Sequence, residues 1–263
     1  DRVPGGSSSG SAVAVARGLA DLGLGTDTGG SVRIPALYNN LFGLRPTHGR
    51  ISAQGCMDLS APLDTVGLMT RDARSLALGM SVLFGEPAPV AAVPDAEIVV
   101  ATDLFTPLEP RMQELVAVIA EHLGRFPSLD VGDVGALFDV GYESFGVVQG
   151  LAAWAEHGAW IEREQPRLAP DILARFHLAK TRRPEQEAPA RERAAAVYRP
   201  LTDVLNRGGF IIMPTAPAAA QKFTELRDPV ALETREITRK QLLGLTSISP
   251  LLGTPQIQIP MPN

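Results

Sequence analysis

Two short stretches carry the residue types from which a nucleophilic site can be built. Gly5–Ser11 and Gly25–Ser31 are glycine- and serine-rich loops, each running into an apolar or helical segment. Glycine lets the main chain take conformations other residues avoid and lets a ligand approach closely. Successive N–H groups in such a loop can form an anion-binding concavity. A serine at its end can stand beside donors aimed at a developing oxyanion. On composition alone three readings stay open: a linker or structural turn, an anion cradle, and a nucleophile loop. A phosphate loop is excluded, because no lysine follows either stretch, and no G-x-G-x-x-G opens a helix after a strand.

Other chemistries have little to work with. His48, His122, His157 and His177 lack paired metal-ligand spacing. The single cysteine, Cys56, removes both a disulfide framework and a thiolate zinc site. No metal and no cofactor is therefore expected.

The elements that must hold the loops fall into three zones. The chain has 263 residues, 45% hydrophobic and 20% charged, with a formal net charge of −5. These values exclude a disordered tail and a coiled coil. They also argue against nucleic-acid binding through bulk charge. No apolar run reaches the length of a spanning helix and no signal peptide is present, so no membrane partner and a cytoplasmic location are expected. The chain starts at Asp1 and ends in IQIPMPN; both ends read as cut, so a fragment of a longer protein is expected.

Residues 1–87 form a Gly/Ser core, 88–207 a charged helical region, and 208–263 a return to short apolar runs. Helices are expected at 11–20, 72–83, 109–123, 144–164, 171–206 (interrupted by Pro184 and Pro189) and 236–245. Strands are expected at 22–26, 97–102, 209–213 and 255–260. The β-then-α order gives an α/β class.

The stretch Pro4–Thr47 resembles the amidase signature family of serine hydrolases. Its GGSS-x-G-S opening stands at Gly5–Ser11, its GTDTGGS-[VI]-R core at Gly25–Arg33, and its G-[LF]-[KR]-P-T close at Gly43–Thr47. HGRIS at His48–Ser52 and LDTVG at Leu63–Gly67 match the usual continuation. AEHGAWIE (Ala155–Glu162) and IIMPTAP (Ile211–Pro217) resemble bacterial and plant members more loosely. The resemblance implies one three-layer α/β/α domain with a large mixed central sheet, truncated here, across 1–263. Within it, 1–87 would be the catalytic core, 88–207 the substrate-pocket region and 208–263 the return to the sheet.

The resemblance further implies a Ser–Ser–Lys triad that cleaves a small carboxamide. Ser31 would be the acylated nucleophile and Ser7 the proton relay, twenty-four residues apart and with a cis peptide joining Gly6 to Ser7. The N–H groups of Thr28, Gly29, Gly30 and Ser31 would form the oxyanion hole. Asp27, Arg33 and Ser8 would brace the loop or contact the substrate. The family's lysine lies well upstream of the relay serine, before Asp1. Lys180, Lys222 and Lys240 are the lysines present and read as surface residues. This chain alone is therefore expected to be inactive and, with open sheet edges, poorly soluble.

Asn39 and Asn40 depart from the family's usual Cys-Gly, and Asn40 threatens to crowd a tight backbone position. Two alternatives are carried. One is the glutamine-hydrolysing A subunit of a tRNA-dependent amidotransferase, in which a Gln usually follows the motif arginine where Ile34 stands here. The other is a non-catalytic binding module, disfavoured by the presence of both serines. A homodimer is the protein partner considered. Trp154, Trp160 and Phe176 are read as helix-packing core rather than pocket lining.

Overall fold

The computed structural model describes residues 1–87, 96–124, 126–224 and 229–260. From the amino terminus the elements are α1 (Ser9–Ala16), β1 (Leu22–Thr26), α2 (Arg33–Tyr38), β2 (Phe42–Arg45), β3 (Val66–Thr70) and α3 (Ala73–Phe84). Then follow β4 (Ile98–Val100), α4 (Pro110–Leu123), α5 (Val134–Glu164), α6 (Pro170–Lys180), α7 (Glu187–Val197) and α8 (Arg199–Asn206). The chain closes with β5 (Phe210–Ile212), α9 (Pro229–Thr246), α10 (Ile248–Leu252) and β6 (Gln256–Gln258).

β3 is the organising strand of the first zone. It pairs antiparallel with β1 on one side and β2 on the other, and β2 in turn pairs antiparallel with β6. Alternate side chains leave opposite faces of a strand. Met69 therefore packs with Ala12 and Val15 of α1 and with Val32 and Ala36. Its neighbour Leu68 packs with Leu76 and Met80 of α3 on the other face. Helix, sheet and helix thus form three layers. α3 starts where the Asp72 carboxylate accepts the Ser75 N–H at 2.8 Å and stops at Gly85, whose φ of 68° is left-handed.

A second sheet pairs β4 with β5 in parallel. Phe105 and Ile119 pack with Val100 on one side of it. The largest core joins Leu104, Leu137, Phe138, Tyr198, Leu201 and Leu245, and so draws on α5, α8 and α9. The fold class is α/β as expected. The sheet it contains is small: four antiparallel strands and two parallel ones among the described residues.

Several expected boundaries shift: α1 stops at Ala16 rather than at residue 20, α9 starts at Pro229 rather than at residue 236, and α2 was not expected. α5 begins at Val134, where the Asp133 side chain accepts the Ala136 N–H, ten residues before the expected start. Pro184 does interrupt the following helical run, but Pro189 lies in the first turn of α7, where its missing N–H has no intrahelical role. No described helix is long and apolar enough to cross a membrane.

Candidate active site

The two Gly-Ser loops meet at the amino-terminal sheet. The Ser8 N–H donates to the Ser31 carbonyl at 3.2 Å. The Gly6–Ser7 peptide is cis. Ser7 is exposed and Ser31 half-buried. Ser8 lies against β1, because a Cβ at Gly25 would strike its Cβ and hydroxyl. The Ser9 hydroxyl donates back to the Gly5 carbonyl. Gly5 has a φ of 76°, and a Cβ there would sit 2.9 Å from the Pro35 Cα. The loop thus needs glycine twice over, for conformation and for space.

Asp27 is the hub of the second loop. It is fully buried, as are Arg33 and Arg45. Its Oδ1 accepts the Gly30 N–H at 2.8 Å and Arg33 Nη2 at 2.8 Å. Its Oδ2 accepts Arg33 Nε at 3.0 Å and the Val32 N–H at 3.1 Å. Arg45 Nη1 donates to the Asp27 carbonyl and stands 3.4 Å from Oδ1. Burial alone would raise the Asp27 pKa. The charge and hydrogen bonds of Arg33, then Arg45 and the Gly30 N–H, overcome it and hold the carboxyl well below the usual range. Burial also pulls Arg45 down to about 10, against the attraction of Asp27.

This network leaves three donors open. The N–H groups of Thr28, Gly29 and Ser31 donate to no protein group among the described residues. Gly30 was expected to join them, but its N–H is committed to Asp27. The set free to receive an anion in this arrangement is therefore Thr28, Gly29 and Ser31.

Residues distant in sequence pin the same loop. The Thr246 hydroxyl donates to the Gly29 carbonyl at 2.7 Å, and the Thr246 carbonyl accepts Arg33 Nη2 at 2.9 Å. The Thr28 hydroxyl donates to Asp64, whose other oxygen accepts the N–H groups of Leu59 and Ser60 at 2.8 and 2.7 Å. Arg33 Nη1 donates to the Gln256 side chain. Phe145 closes over Gly29, where a Cβ would stand 3.0 Å from ring Cε2 and closer still to Cζ.

Of these, Arg45 and Asp64 sit inside the quoted motifs, but neither had been assigned a role. Thr246, Gln256 and Phe145 carried no local signal. The departures from the family pattern are absorbed. Asn40 takes a φ of 55° in the left-handed region, which asparagine tolerates better than most residues. Asn39 Nδ2 donates to the carbonyls of Pro4 and Pro35, both at 2.8 Å, and so ties down the opening loop.

Two of the three lysines are held in ion pairs elsewhere, and the third is placed by its main chain. Lys180 pairs with Glu162 at 2.7 Å and Lys240 with Asp139 at 2.6 Å, while Lys222 sits opposite Arg2 in a β-bridge. Of the aromatics expected in the core, Trp160 is 42% exposed. Trp154 and Phe176 are half-buried, under Lys180 and against His157 respectively. The aromatic that meets the loop is Phe145.

Comparison with known proteins identifies the family. The Amidase family model matches residues 1–124. Amidase 1 of Arabidopsis thaliana is 31% identical over 292 residues, covering 99% of this chain and 67% of that protein. The chain belongs to the amidase family. Amidase 1 of Oryza sativa subsp. japonica is 32% identical, covering 99% of this chain and 65% of that one. The chain thus spans about two thirds of the length of these plant amidases. The A subunit of the glutamyl-tRNA(Gln) amidotransferase of Thermus thermophilus is 46% identical over 134 residues, covering 51% of this chain and 25% of that one. A crystal structure of an amidase superposes with a TM-score of 0.83 at 26% identity, covering 97% of this chain and 59% of that one. Amidase-family membership fits a loop whose free N–H groups adjoin a serine.

Proposed function

We propose that the protein hydrolyses the C–N bond of a small carboxamide through an acyl-enzyme on Ser31. The open N–H groups of Thr28, Gly29 and Ser31, in the loop that ends at Ser31 and is braced by buried charges, support this assignment. They suit the oxyanion of a tetrahedral intermediate, and removing one such donor typically costs about a hundredfold or more in rate.

Ser31 Oγ attacks the carbonyl carbon and gives its proton to Ser7, which passes its own proton to a neutral lysine. The intermediate collapses, the C–N bond breaks, and the lysine returns the proton through Ser7 to the leaving amine. Water then attacks the acyl-enzyme by the same relay, which restores Ser31 and releases the acid. Asp27 and Arg33, buried and bonded to each other and to the loop's N–H groups, hold the second loop, and the Ser8 N–H ties the first loop to it. This reading places the lysine outside residues 1–263: Lys180 and Lys240 are held in ion pairs with Glu162 and Asp139, and no lysine stands in a motif position.

A second reading, glutamine hydrolysis that supplies ammonia to a partner, draws on the 46% identity to the Thermus protein. Ile34 speaks against it: its Cδ1 would lie 2.8 Å from a Cβ at Gly30, so an apolar group backs the loop. Turnover of simple carboxamides and of glutamine, measured on the product of the complete reading frame, separates the two. Carboxamide turnover that is lost in Ser31→Ala supports the first reading. Turnover confined to glutamine supports the second. Undiminished turnover in Ser31→Ala refutes both.

A further inference from the structure

Four charged side chains away from Ser31 share one concavity without pairing. A cavity of about 470 Å3 lies between α5 and the turn into α7, lined by Glu143, Val147, Arg182, Glu185 and Arg193 among others. Its size is that of a small-ligand site. Gln186 fixes the turn by accepting the Arg183 N–H at 2.8 Å.

Arg182 is fixed along α5. A Cβ at Gly150 would stand 3.4 Å from Arg182 Cγ, and one at Gly146 would stand 3.9 Å from Nη2. These glycines lie four apart on one helix face and make a groove for the side chain. Arg182 Nε is buried and has no hydrogen-bond partner among the described residues, a costly condition for an N–H group. Among those residues, none of the four charged side chains enters an ion pair. Neighbouring surface charges do pair: Lys180 with Glu162 at 2.7 Å and Arg191 with Glu187 at 2.9 Å. Glu143, Glu185 and Arg193 are exposed and Arg182 is half-buried, so two cations and two anions line the concavity with none of them in an ion pair among the described residues.

We propose that this concavity binds a small zwitterion, an ω-amino acid whose carboxylate meets Arg182 and Arg193 and whose ammonium meets Glu143 and Glu185. The four wall charges sum to zero, so a lone anion is drawn by the arginines and repelled by the glutamates. A ligand with both charges satisfies both pairs. Val147, buried at the cavity wall, offers apolar contact to a methylene spacer. Phe145 leaves the helix about 200° round from Glu143 and faces Gly29, so this site is separate from Ser31 and does not depend on the amide-cleaving proposal.

Isothermal titration of the full chain with glycine, 4-aminobutyrate and 6-aminohexanoate tests it, with acetate and butylamine as single-charge controls. At least one zwitterion should bind about tenfold or more tighter than either control, and Arg182→Gln and Glu143→Gln should each weaken it about tenfold. If Arg182→Gln does not fold, the exposed Glu143→Gln carries the comparison. Acetate binding as tightly as the best zwitterion would overturn the proposal in favour of a plain anion site. No zwitterion binding, or binding unmoved by both variants, would overturn it outright.

Discussion

Gly29→Ala should damage the loop by contact alone, and Phe145→Leu should repair it. A Cβ at Gly29 would lie 3.0 and 3.2 Å from ring Cε2 and Cε1 of Phe145, and nearer to Cζ. The ring cannot retreat, being 2% exposed and packed with Leu63 and Val148. Gly29 cannot retreat either, because the Thr246 hydroxyl holds its carbonyl at 2.7 Å. Overpacking of this kind costs about 1–3 kcal/mol. For ~2 kcal/mol the melting temperature of a chain this size falls by about 4–8 °C. Leucine at 145 removes the far end of the ring and, through the space it leaves, should itself cost about 1–2 kcal/mol. The double variant should then be more stable than the sum of the two changes by about 1 kcal/mol or more, a coupling measured by thermal unfolding of the four proteins. Additive losses would show that Phe145 does not set the position of Gly29, and a fully stable Gly29→Ala would refute the reasoning at its first step.

Three further outcomes follow from the same network. Asp64→Asn should lower kcat with little change in KM, because Asp64 holds the Thr28 hydroxyl and two N–H groups, and hydrogen bonds to a charged group contribute about 1.5–3 kcal/mol each; a purely KM effect in steady-state kinetics would contradict this. Arg33→Met should destabilise the fold by about 3–5 kcal/mol in urea unfolding, since it leaves Asp27 buried with its main partner gone. The folded-state pKa of Asp27 is depressed, so its stabilisation is complete above the unfolded value of 3.8 and is lost as pH falls from there toward the folded value; melting temperatures that do not fall in that acid range would contradict the ion network.

Much of the frame was legible because it rests on local signals. Asp72 and the Leu76–Met80 spacing mark α3, and Gly85 ends it. β1 was found through the apolar run that its glycines interrupt. β3 escaped because four of its five residues are buried, which erases the alternation that marks a strand. β2 escaped because its sequence, FGLR, holds a glycine and an arginine and no β-branched residue. α5 was read too short because its glycines weaken helix propensity. In the fold some of them are required by close approach: a Cβ at Gly141 would strike the Tyr198 hydroxyl.

The serines of the candidate site lie within a short stretch and were visible through motif order. Its supports were not. Thr246 and Gln256 reach Gly29 and Arg33 from more than two hundred residues away, and Phe145 does so from mid-helix. No residue type or spacing announces such contacts, since they arise only when α5, α9 and β6 pack round the loop. The commitment of the Gly30 N–H to Asp27 is likewise a fact of backbone direction that the glycine pair alone does not reveal.

The most direct measurement is the mass of the peptide carrying Ser31 after rapid acid quench of the complete reading-frame product with a slowly released carboxamide. The account predicts an added acyl group on Ser31, absent in Ser31→Ala and slower to form in Ser7→Ala. Turnover of that substrate with the acyl group on another residue, or with no covalent adduct at any quench time, would contradict it.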